Sequence, residues 1–166
     1  MTRYVVRPLK ESDIEAVIAI DALVTGLGGQ GRAGFWRGLL SIHAGLTDEE
    51  GAGAEGPHPT PHLCEVAVVA PGEGPSPERV VGFIIGDVQS WQFGIARHGR
   101  IVTIGVDPAH ARKGVATLLA DSLLGSFRKM GLASVQCLTL PGDPLGDFFR
   151  SVGFERSEFE VLKKEL

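Results

Sequence analysis

Hydrophobic positions along this chain recur with two rhythms, one near two residues and one near 3.6, and their alternation predicts the order of its elements. The run YVVRPL (4–9) reads as a strand stopped by Pro8. ESDIEAVIAIDALV then carries Ile14, Val17, Ile18 and Ala22 at helical spacing, with Ser12 or Asp13 as its cap and Glu15 close behind. TGLGGQGRAG breaks that helix, and FWRGLLSIHA predicts a second, shorter one carrying Phe35, Trp36, Leu39 and Leu40. TDEEGAGAEGPHPTP (47–61) has no period and is rich in glycine, proline and acid, the composition of a surface loop.

Two β-branched runs follow, HLCEVAVVA and RVVGFIIGDV, separated by the turn residues PGEGPSPE and so expected as a hairpin. WQFGIARHG reads as a strand end and loop, and RIVTIGV as another strand. The best-defined helix spans 114–130, with Val115, Leu118, Leu119, Leu123 and Phe127 on one stripe, Lys129 in its last turn and Gly131 as its stop. ASVQCLTL predicts a buried strand, DPLGDFFRSVGF a short helix ending at Gly153, and FEVLKKEL a last strand. The order β-α-α-β-β-β-α-β-α-β predicts an α/β fold on a mixed sheet. Three consecutive strands pair antiparallel, and a right-handed β-α-β crossover over 101–139 adds a parallel pair. There are no internal repeats, and residues 1–166 are expected to form one domain.

Composition narrows this picture only a little. Hydrophobic residues make up 43% and charged residues 22%, as in an ordinary globular protein. The formal net charge of −4 argues against a nucleic-acid-coating surface and suits a cationic amine. The first residues contain no apolar signal region and no apolar run is long enough to span a bilayer, so a cytoplasmic protein without a membrane partner is expected. Cys64 and Cys137 sit in strand-like runs without CxxC or histidine spacing, so free thiols are expected rather than a disulfide or a metal site.

The segment IVTIGVDPAHARKGVATLLADSLLGSFRKMG concentrates the chemistry. An apolar strand ends in Asp-Pro, and a basic, glycine-bearing turn opens directly into the helix. A helix mouth leaves N–H groups unpaired and carries partial positive charge, so an anion such as phosphate is its natural occupant. Gly114 and Ala116 keep side chains out of the way, and Arg112 and Lys113 bring charged donors to the rim. The string has neither the GxxxxGK[ST] frame nor a GxGxxG turn.

VDPAHARKGVA, an amphipathic helix, a strand and then FFRSVGF together resemble the GNAT family of N-acetyltransferases over residues 80–155. The resemblance implies that fold, with helices on both faces of the sheet, and acetyl-CoA as co-substrate for an amine acceptor. It assigns the diphosphate to the turn of Ala111, Arg112, Lys113, Gly114, Val115, Ala116 and Thr117. It places the pantetheine arm beside a strand that splays from its neighbour at Ile104, Gly105 and Val106. Gly153-Phe154 matches the family's closing pair. Three positions depart from the pattern. Ala111 replaces an Arg or Gln, Gly142 an Asn, and Phe149 the tyrosine thought to protonate the departing thiolate; the chain's one tyrosine, Tyr4, lies far away in sequence. Phe149 is left to pack against the cofactor. An acceptor amine must also lose a proton, for which Asp21 and Glu65 are the leading candidates, followed by Asp87, His98 and His110. GLGGQGR before Phe35-Trp36 would suit a lid over the acceptor. The C-terminal half leans toward family members that act on protein or peptide amines, and members often pair as homodimers. The rival readings are a non-catalytic acyl-CoA-binding module and an unrelated phosphate-binding globule.

Overall fold

The computed structural model describes residues 3–26, 33–39, 62–70, 78–90 and 96–166. The expected loop 47–61, the predicted second helix from Leu40 onward, residues 27–32 of the glycine run suggested as a lid, residues 71–77 of the hairpin turn and WQFGI (91–95) lie outside the described residues. The elements are β1 (Tyr4–Pro8), α1 (Ile14–Thr25), α2 (residues 33–39), β2 (His62–Val69), β3 (Arg79–Gln89), β4 (His98–Val106), α3 (Val115–Lys129), β5 (Val135–Cys137) and α4 (Pro144–Ser151). They build a five-stranded sheet in the order β1-β2-β3-β4-β5. The first four strands pair antiparallel, and the β4-α3-β5 crossover makes the last pair parallel.

Helices cover both faces, so the central strands read as continuous apolar runs. On one face Val66, Val68, Phe83 and Ile85 pack against Ile14, Val17 and Ile20 of α1 and Trp36 and Leu39 of α2. On the other, Ala67, Val81, Ile84 and Ile101 meet Val115, Leu119, Leu123 and Phe127 of α3 and Phe149 of α4. Helix α3 lies close to the sheet because Gly86 and Gly99 stand beneath it. A Cβ on either would come within 2.6 or 2.8 Å of the Phe127 ring.

Several expectations change. Leu118 is 41% exposed and leaves the stripe. At about 100° per residue it points roughly 120° from the centre of the arc that holds Val115, Leu119, Leu123 and Phe127. The strand expected from ASVQCLTL shrinks to Val135–Cys137, and Leu138 and Leu140 are exposed. FEVLKKEL forms no strand: Phe159, Val161, Leu162 and Leu166 are exposed, and no described strand pairs with them. Neither Ser12 nor Asp13 caps α1 with its side chain. A 3-10 turn at Glu11–Asp13 leads in instead, and Asp13 reaches back to the Lys10 N–H at 2.8 Å. Arg7 grips the same carboxylate at 2.7 and 3.0 Å. Burial alone would raise the Asp13 pKa, but the hydrogen bonds from Arg7 and Lys10 outweigh it and hold it below its ordinary value. Cys64 is buried and Cys137 half-buried, both as free thiols. Burial pushes the Cys64 thiol up to about 12, as fits an inert core residue. No described helix is long and apolar enough to cross a membrane, and no described group of His, Cys, Asp and Glu could hold a metal.

Candidate active site

Strand β4 runs between two neighbours for only part of its length. Gly99, Arg100 and Ile101 pair with Val135, Gln136 and Cys137 of β5, and there the parallel ladder stops. Its pairing with β3 continues to Val106, through a register shift in which Ile85 faces Thr103 but Gly86 faces Ile101. Val102 is thus the extra residue of a β-bulge at the point where β4 and β5 part. Past the bulge the Asp107 N–H donates to the Val81 carbonyl at 2.9 Å. With a period of two, Gly105 then bonds toward β3, while Ile104 and Val106 turn their N–H and C=O groups to the open side. From Val102 to Val106 this unpaired edge extends about 13 Å. An extended diamide of the pantetheine type would find main-chain partners there, as an added strand does.

The open edge leads directly into the turn. Asp107 caps the 3-10 turn Pro108–His110 by accepting from the Ala109 N–H at 2.9 Å, and Arg79 holds the same carboxylate at 3.1 Å. Two residues then take left-handed backbone, Arg112 at φ 57° and Gly114 at φ 80°. Arg112 is the only described non-glycine residue with positive φ. Lys113 folds its Nζ back onto the Ala109 carbonyl at 2.8 Å, so its charge stays over the turn. The first bond into α3 is from Leu118 N–H to Gly114 C=O, and no side chain caps the helix. Lys113 aside, whose N–H closes the turn at 111–112, the N–H groups of residues 112 to 117 have no protein acceptor among the described residues. Added to the helix dipole, they form a concavity of donors suited to a diphosphate. A Cβ on Gly114 would meet nothing within 4 Å, so its role is conformational: φ 80° is a geometry that glycine adopts without cost. A recess of about 430 Å³ lined by Phe127, Arg128, Leu132 and Phe154 lies at the other end of α3, about 22 Å away along the helix.

The remaining candidates are spread over both faces. Phe149 is 3% exposed, between Phe148 and Phe154 with ring centroids 5.2 and 5.1 Å away. Gly153 and Phe154 close α4 by donating to the Arg150 and Phe149 carbonyls, a Schellman closure that places the Phe154 ring on Phe149. Asp21 is 3% exposed on α1 and accepts from the Trp36 indole at 3.2 Å. Trp36 packs edge-on to Phe83, and the Phe83 ring lies directly over Gly105 of the open strand. Glu65 faces the opposite way and takes a 3.3 Å bond from Ser126 of α3, so the sheet separates it from Asp21. Asp87 is gripped at both oxygens by Arg100, and the His98 Nδ1 lies 2.9 Å from the Ala96 carbonyl. His110 meets the Tyr4 hydroxyl at 3.0 Å, so the tyrosine remote in sequence is adjacent to the turn in space. Sequence reasoning missed Arg100, whose pairing needs the β3–β4 register, and Asp107, for which the Asp-Pro string is the available signal.

A mixed sheet whose β4 parts from β5 and runs into an uncapped helix mouth defines the class as an acetyltransferase fold. The model of the Acetyltransferase (GNAT) family matches residues 49–154, and the chain belongs to that family. No curated protein matches by sequence. Among solved structures, the fold is similar to an aminoglycoside antibiotic 6'-N-acetyltransferase from Acinetobacter baumannii, at 14% identity and TM-score 0.70, covering 99% of each chain. It is similar to glucosamine-6-phosphate N-acetyltransferase from Arabidopsis thaliana at 13% identity and TM-score 0.69, covering 98% of each. It is also similar to ribosomal-protein-alanine N-acetyltransferase from Brucella melitensis at 15% and 0.67, covering 99% of each. These identities speak to the fold alone.

Proposed function

We propose that this protein transfers an acetyl group from acetyl-CoA to a primary amine of a protein, peptide or small molecule by direct attack. The observation that carries the reading is the continuity of two unpaired backbone surfaces, the edge of Ile104 and Val106 and the free amides among residues 112–117. Together they match an extended diamide arm joined to a diphosphate. The co-substrate supplies an activated thioester. The amine nitrogen forms the new bond to the carbonyl carbon, the carbon–sulfur bond breaks, and the amine gives up one proton. The Ile104 N–H is the donor available to the carbonyl oxygen as its charge grows. The proposal assigns the proton to Asp21, through water, rather than to Glu65, because Asp21 shares the face of Trp36, Phe83 and Gly105. Phe149 offers no proton to the thiolate. A thiol with a pKa of about 8.5 still leaves tolerably, so the loss of a general acid, worth about 10²–10⁴-fold, slows turnover without abolishing it.

The test is calorimetric titration of CoA into wild type and Gly114→Glu. A side chain at φ 80° costs about 1–2 kcal/mol, and the carboxylate faces the diphosphate. The account expects CoA affinity to fall at least about 100-fold, near 2.7 kcal/mol. Unchanged affinity in a folded variant contradicts it. A second reading, an acyl-CoA-binding module without turnover, is favoured by Phe149. Thiol release with a panel of amines separates the two.

A further inference from the structure

Among the described residues only Asp13, Asp21, Asp87 and His98 are buried polar or charged side chains. Asp13 is satisfied by Arg7 and the Lys10 N–H, and Asp21 by the Trp36 indole. Asp87 and His98 lie together, and the sheet register shows where. His62, Asp87 and Arg100 stand in one row across β2, β3 and β4, and Gln89 and His98 form the next row. The strand neighbours Gly86 and Gly99 face α3, where a Cβ would strike Phe127. Alternation therefore puts Asp87, His98 and Arg100 on the opposite face, the one shared with Phe83 and Ile85. This polar cluster interrupts an otherwise apolar surface at the end of the open edge remote from the diphosphate turn. It begins at Arg100, two residues before the bulge.

An arm laid along β4 from the turn carries its thioester to Ile104, and an acceptor that approaches from the far end of the open edge passes Arg100, four residues further along the strand. The α3 side is filled there by Phe127 and Leu123, so an acceptor must meet the opposite face. The exposed group it meets is Arg100, whose side chain is 42% exposed while its partner Asp87 is at 3%. Arg100 spends Nε and Nη2 on the two carboxylate oxygens, at 3.0 and 2.5 Å. That bidentate grip fixes the plane of the guanidinium and leaves Nη1 and the outer Nη2–H without a partner among the described residues. Both Asp87 oxygens are already engaged by Arg100, so the group offered outward is a donor and a cation.

We infer that the acceptor carries an oxyanion, a carboxylate or a phosphate, close to its amine, and that Arg100, held by Asp87, binds it. This rests on the acetyltransferase reading and names its acceptor class. The whole-chain charge of −4 points to the other sign, but it is a sum over the entire surface. Arg100 sets the field at short range, where a charge-assisted bidentate contact is strongest.

The test uses matched amines at saturating acetyl-CoA, with thiol release as readout. One pair is glucosamine 6-phosphate against glucosamine, and the other an α-amino acid against its amide. The expected result is a preference of at least about tenfold in kcat/KM for an anionic member, carried mainly by KM. The two pairs report which oxyanion fits. Arg100→Gln alone leaves a buried carboxylate unpaired and can fail to fold, so the informative variant is Asp87→Asn with Arg100→Gln, which removes both charges. It should bind CoA as wild type does and lose the preference. Turnover with no anionic preference, or a preference that persists in the double variant, overturns this inference and leaves the acetyltransferase reading intact. CoA binding with no turnover on any amine overturns both.

Discussion

Asp13 shows how a single buried side chain ties pH to stability. Its carboxylate is 6% exposed and lies between Arg7 and the Lys10 N–H, which keep its pKa below the ordinary 3.8. A depressed folded-state value means that the stabilisation is fully present above the unfolded-state value and is lost as pH falls through the folded one. Asp13→Asn should cost about 2–3 kcal/mol at neutral pH, the worth of hydrogen bonds to a charged group. It should also flatten the acid limb of the melting temperature plotted against pH, and an unaltered acid limb would show that the Arg7 grip contributes nothing. Phe149 tests the chemistry at the same scale. If the missing hydroxyl limits turnover, Phe149→Tyr raises kcat by about 10²-fold or more and leaves the CoA Kd unchanged. No change in kcat would place the limiting step elsewhere. At this scale the sequence was legible where chemistry is local. The helix-mouth turn, with Gly114 at positive φ, follows from a short string. The meeting of Tyr4 with His110 and of Asp87 with Arg100 depends on strand register, which no local pattern carries.

Helix α3 is the element on which the site is built, and its seat depends on what is absent below it. Gly86 and Gly99 let the Phe127 ring touch the sheet, so Val115 and the turn before it sit at the end of β4. Gly86→Ala should cost about 1–3 kcal/mol, because its Cβ would lie 2.6 Å from that ring. In a Phe127→Leu background the same change should cost less, with a coupling of at least about 0.5 kcal/mol in a denaturant double-mutant cycle. Full additivity would mean that the ring and the glycine are not in contact. The 3.6-residue period revealed α3 and α4 because each buries a stripe of its own. It overreached at Leu118, where spacing from Val115 alone ignores the direction of the arc. Alternation failed for FEVLKKEL, since a strand needs a partner edge and the last described one, β5, is three residues long.

For the molecule as a whole, the central feature is a sheet that is continuous on one side of β4 and open on the other. Hydrophobic rhythm was enough to pair β2, β3 and β4 antiparallel and to require a parallel crossover. The point at which β4 leaves β5 is a fact of pairing between segments more than 30 residues apart, fixed by the bulge at Val102 and the brevity of β5. That opening, continued by the amides of the turn, is what the proposed function rests on. Its most direct test is a CoA titration followed through backbone amide resonances. The account predicts that the amides of Ile104, Val106 and residues 112–117 shift together and saturate at one affinity. Saturable binding that leaves those amides unmoved, or no binding at millimolar CoA, would contradict it.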